Sequence, residues 1–108
     1  MAINNSVVQE SAQLIINHLE LDKEALPVVT ESNEADLLLA LTRVVQYLLD
    51  NDFQRLLNGC YRIDLSEKHV ARILDQAPPD EMAAKMAQLI IDREKQKVII
   101  RRKYSQQG

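Results

Sequence analysis

The chain has 108 residues, 46% hydrophobic and 27% charged, with thirteen basic and sixteen acidic side chains and a formal net charge of −3. Two glycines and three prolines exclude a collagen, a Gly/Ser linker and a low-complexity tail. One cysteine excludes an internal disulfide and every multi-cysteine metal motif.

The opening residues Met1 to Ser6 lack the basic region of a secretory signal, and Gln9, Glu10 and Gln13 break the apolar run that follows. With a lone thiol, that leads to the expectation of a cytoplasmic protein. No run of ~18 uninterrupted apolar residues occurs, so no membrane association is expected.

A first helix is predicted over residues 6–20. Ser6 and Gln9 fit a capping box, and Val8, Ala12, Ile15 and Leu19 recur at helical spacing. Residues 21–33 read as a connector, with Pro27 steering Leu26 away from helix and Val28-Val29-Thr30 extended or irregular. A second helix starts around Asn33, with Glu34 and Asp36 in its first turn where negative charge suits the dipole. Leu37 to Leu49 is apolar on most of its circumference, broken in mid-helix only by Arg43 and Gln46. Such a helix is usually buried on several sides, which makes it the expected centre of the fold.

Asp50-Asn51-Asp52 then offers side chains for a turn and a cap. The third helix sets Phe53, Leu56, Leu57, Cys60 and Ile63 on one stripe. Gly59 inside it points to a close helix–helix approach, since glycine costs about 1 kcal/mol there relative to alanine. Ser66 caps a short fourth helix, with Leu65 and Val70 as a hydrophobic staple and Ile73, Leu74 and Ala77 on its inner face. Pro79 opens the last helix, followed by Asp80 and Glu81. Its inner side is read as Met82, Met86, Leu89, Ile90, Val98 and Ile99, and residues 104–108 as a tail. Reaching Lys103, this helix would be roughly 37 Å long, with an end that projects beyond the core or packs on another subunit. The fold class is all-α: a compact single domain of about five helices, with residues 33–103 as the helical core and a long basic C-terminal helix.

Charge is distributed unevenly. Residues 92–108 hold six basic residues against two acidic ones, a net of +4, which leaves −7 in residues 1–91. Clustered cations displace counterions from nucleic acid, so Arg93, Lys97, Arg101, Arg102 and Lys103 are candidate contacts for nucleic acid or for an acidic protein partner. Cations near a helix C-terminus also offset its dipole, and 4% aromatic content is poor for stacking on single strands. A second copy of the chain is a further candidate, because its acidic body complements the basic end.

Asp52, Tyr61, Arg62 and Asp64 are candidates for one polar network. Asp64, Glu67 and His69 invite an acid–base or metal reading, but His18 and His69 lie on different helices and form no metal-ligand spacing. Cys60, on the apolar stripe, reads as a small buried thiol rather than a nucleophile. No phosphate-binding loop or nucleophile elbow is present, so no enzymatic activity, cofactor or metal is expected.

Three segments carry a resemblance. Asn51 to Leu57 (NDFQRLL), Tyr61 to Glu67 (YRIDLSE) and Leu89 to Lys97 (LIIDREKQK) resemble a group of small bacterial helical proteins sharing NDFxxLL, YR(I/V)D and LIIxRxxQK segments. The resemblance spans residues 38–103. It implies a compact bacterial cytosolic helical domain and transfers no catalytic residue, activity or ligand.

The favoured reading is a protein that works by protein–protein association, as a twofold homo-oligomer whose interface draws on the first, second and last helices. The apolar surplus of the second helix, and a first helix hung on a long connector and able to pack on a neighbouring chain, motivate it. The alternative is a nucleic-acid-binding accessory protein that uses the basic last helix.

Overall fold

The computed structural model describes residues 5–26 and 33–107. These form five α-helices and no strand: α1 (Asn5–Leu19), α2 (Glu34–Asn51), α3 (Phe53–Ile63), α4 (Glu67–Gln76) and α5 (Pro79–Gln107). The expected Pro27 break and the Val28-Val29-Thr30 segment lie outside the described residues.

Local chemistry sets the ends of these helices. Asn33 caps α2 in a reciprocal box, its side chain accepting from Asp36 N at 2.9 Å while the Asp36 carboxylate accepts from Asn33 N. Asp52 ends α2 and caps α3, accepting from Arg55 N. Ser66 caps α4 by accepting from His69 N, and the staple residues Leu65 and Val70 are both buried. Pro79 is the first residue of α5, as its fixed φ favours. Ser6, expected at a cap, stands inside the first turn, because Asn5 is already helical.

Two corners turn without glycine. Glu20 (φ 56°) and Asp64 (φ 67°) adopt the left-handed conformation just past α1 and α3. Behind each, the next amide reaches back to the carbonyl five residues earlier, Leu21 N to Ile16 O at 2.9 Å and Leu65 N to Cys60 O at 3.1 Å. Both are Schellman closures, which satisfy carbonyls that a helix end leaves without partners.

The centre of the fold is α5, not α2. Its backbone approaches all four other helices, whereas that of α4 approaches only α5. At 29 residues α5 is about 43 Å long, matching the longest dimension of the molecule, 41 Å. It continues through Gln107, so residues 104–107 extend the helix rather than form a tail. α1 lies alongside it as far as Arg102, so only the last turn, with Lys103, Tyr104 and Ser105 exposed, extends past that contact.

α1 is folded onto its own chain. Val7, Val8, Ser11, Ala12, Ile15, Ile16 and Leu19 are all buried, against α5 and α3 above all. That stripe is therefore used within the chain, while Gln13 and Asn17 on the opposite side stay exposed. Each large aliphatic chain buried in this way contributes about 1.5–3 kcal/mol, which explains why the long connector does not release the helix. α2 buries one stripe, Leu37, Leu41, Val45 and Leu48, and leaves Leu39 and Tyr47 more than half exposed.

Gly59 is where α1 and α3 meet. A Cβ built there would overlap Leu19 Cδ2 and lie 3.3 Å from the His18 carbonyl oxygen. The close approach expected from a mid-helix glycine is present.

Candidate functional site

The inner face of α5 carries Ala83, Met86, Ala87, Ile90, Ile91 and Val98, and also Glu94, which is fully buried. Glu94 occupies the helical spacing that Ala87, Ile90 and Val98 continue, so the helix delivers a carboxylate into the core. His18, near the end of α1, meets it with Nδ1 2.5 Å from Glu94 Oε2. A carboxylate can only accept, so Nδ1 carries the shared hydrogen. Lys97 Nζ lies 3.1 Å from the other oxygen, Oε1, while donating to the Ile63 carbonyl at 3.0 Å. It neutralises Oε1 without forming a hydrogen bond to it.

This cluster ties α1, the end of α3 and the middle of α5 together. Arg62 extends it at the surface, donating to the His18 carbonyl at 3.1 Å and pairing with Glu20 at 3.0 Å. None of five clefts found among the described residues is lined by His18, Glu94 or Lys97. Through its hydrogen bonds and ion pairs the cluster holds α1, α3 and α5 together. The sequence reading missed it, treating His18 only as a histidine without metal-ligand spacing. The available signal was an acid in register with the apolar stripe of the last helix.

The basic residues of α5 are mostly engaged within the chain. Arg101 and Arg102 both pair with Glu10 of α1, at 3.3 and 2.8 Å, and Arg102 also donates to the Ser6 hydroxyl. Arg93 pairs with Asp64 at 3.2 Å and donates to Gln96, and Lys95 meets Glu34 of α2 at 2.5 Å. Of the five candidate contact residues, Arg93, Lys97, Arg101 and Arg102 are thus held by acids of the same molecule. Lys103 alone among the five is exposed with no ion-pair partner among the described residues.

The four residues proposed as one polar network serve different places. Asp52 pairs with Arg55 at its own helix start, Arg62 with Glu20, and Asp64 with Arg93. Tyr61 is 80% exposed. Asp52 and Asp64 stand at opposite ends of α3, and the four are not brought to one centre. His69 is exposed in the first turn of α4, and no group of three or more potential metal ligands converges among the described residues.

Cys60 is buried among the α3 stripe, and loss of hydration pushes its thiol from 9.0 up to about 11. A thiol held protonated in this way is a poor nucleophile. Beside it, an apolar groove of about 310 Å³ opens between α3 and α4, lined by Leu57, Leu65, Val70 and Leu74 with Tyr61 at its rim. A wider, open cleft of about 620 Å³ separates the start of α4 from α5, with Ser66, His69, Asp92, Arg93 and Gln96 along it.

No helix among the described residues is long and apolar enough to cross a membrane. The chain matches no family model, no curated protein and no solved structure.

Proposed function

We propose that this protein acts by protein–protein association, as a homo-oligomer, with α5 contributing to the interface and the apolar face of α1 kept within the chain. The observation that carries this reading is the state of α5 itself. Its outer face leaves Ile99 and Ile100 about 40% exposed, while most of the cations around them are already neutralised. Apolar side chains on an exposed helix face gain by being covered, whereas paired cations have little counterion release to offer a polyphosphate.

The nucleic-acid alternative loses most of its free charge by the same geometry, since only Lys103 of its five residues lacks an internal acid. We further propose a cytoplasmic location, with which a lone thiol buried in the core is in keeping.

Light scattering across ~10 µM to ~1 mM protein, run beside a titration of labelled RNA at low and moderate salt, tests the reading. The expected result is a molar mass that rises with concentration, and no RNA binding at ~50 mM salt. A strict monomer that binds RNA in a salt-dependent way would overturn it in favour of the alternative.

A further inference from the structure

From Asp92 to Lys103, α5 carries eight charged residues, and six of them are paired inside the chain: Arg93, Glu94, Lys95, Lys97, Arg101 and Arg102. Among the described residues, the remaining two are Asp92, which accepts only from the neutral Gln88 amide at 2.8 Å, and Lys103, which has no ion-pair partner. They are of opposite sign. Spacings of four, three and four residues place Asp92, Gln96, Ile99 and Lys103 on one exposed face of the helix, with Ile100 at its edge. The two unmatched charges therefore sit at opposite ends of a short apolar strip. An open groove beside Ile99 and Ile100 and the cleft toward α4 leave this ridge uncovered on both flanks.

We propose that this face is a self-complementary seam that pairs with the same face of a second copy, antiparallel and about a twofold axis. The proposal rests on the association reading above and specifies its geometry. With the axis passing between positions 97 and 98, Asp92 lies opposite Lys103 of the second copy and Gln96 opposite Ile99, and each relation occurs twice. A twofold contact has this reciprocal form by symmetry. A parallel arrangement would set Asp92 against Asp92 and Lys103 against Lys103, so charge selects the antiparallel one. The four isoleucines from two chains then meet near the axis. Three helical turns cover less than the roughly 800 Å² per partner of a standard interface, so the dimer is weak and concentration-dependent.

The charges allow a swap experiment in the full chain. Sedimentation velocity would be run on the native protein, on Asp92→Lys, on Lys103→Glu, and on an equimolar mixture of the two variants. Each variant alone places like charges across the seam at both ends and should weaken self-association at least tenfold at low salt. Their mixture places opposite charges at both ends and should restore a heterodimer of native strength. Both positions are exposed, and thermal melts of each variant check that folding is unchanged. If the native protein self-associates but the single variants do so equally well, the seam is wrong and association uses another face. A native protein that stays monomeric at ~1 mM would overturn the seam and the homo-oligomer reading together.

Discussion

Glu94 stands where the stripe of α5 would otherwise continue as aliphatic side chains, and its surroundings make the costs of substitution unequal. His18 and Lys97 are each about a quarter exposed, so they reach water when the carboxylate is removed, whereas Glu94 is fully buried and does not. Taking away a partner leaves a buried charge short of compensation, while replacing Glu94 itself leaves only part-exposed partners that water can solvate. His18→Ala should therefore destabilise by about 3 kcal/mol. Glu94→Leu should fall within about 1 kcal/mol of the native protein or exceed it in stability. Urea melts of both variants read the difference. Comparable large losses in both would mean that the carboxylate stabilises the core in its own right.

At the scale of elements, the α1–α3 contact shows how far local sequence reaches. Alanine at position 59 would gain about 1 kcal/mol of helix propensity. Its Cβ would also overlap Leu19, which is fully buried, and press on the His18 carbonyl. Overpacking a tight contact costs about 1–3 kcal/mol, so Gly59→Ala should lower stability on balance, by about 1 kcal/mol, with thermal denaturation as the measure. A gain would show that Leu19 can turn aside freely.

The same contrast decides what the sequence made legible. Caps at Asp52 and Ser66, the staple of Leu65 and Val70, the start at Pro79 and the five helices follow from residues within a few positions of one another. The centrality of α5 does not, because Ala83, Ala87 and Glu94 do not resemble a core face when read by hydrophobicity. Small side chains let neighbouring helices approach closely, and the acid is balanced by His18, seventy-six positions away. Burial of α1 was hidden for the same reason: a long connector says nothing about what its helix packs on. The positive end of the chain was visible as a sum of charges, but its pairing with Glu10 and Glu34 depends on the tertiary fold.

For the whole molecule, cohesion is uneven. α4 approaches only α5 and has Val70 as its one buried residue, while α1, α2, α3 and α5 share the core. Elements with few buried contacts open at lower free energy than the global unfolding. Cys60 borders the groove between α3 and α4 and reports such openings. With the thiol at about 11 instead of 9.0, the thiolate fraction at pH 8 falls about a hundredfold, before burial slows access further. Alkylation of the native protein should therefore be at least a hundredfold slower than in urea. Its residual rate should track hydrogen exchange of α4 amides rather than that of α1. The thiol also favours the folded state only below its unfolded value of 9.0, and that contribution declines as pH climbs from 9 to about 11. Labelling as fast in the native state as in urea would show that α4 does not guard the groove.

The bond between Glu10 and Arg102 joins residues ninety-two positions apart and closes the first helix against the last. A ribosome makes α1 well before α5, at about 5–20 residues per second. For several seconds, therefore, Ile15, Ile16 and Leu19 exist without their main cover. During that interval the nascent chain holds a sticky amphipathic helix that only residues 79–107 can fully shelter. A translation product that stops before α5 would leave that stripe without its main cover, so it is the arrival of α5 that closes the core over the first helix.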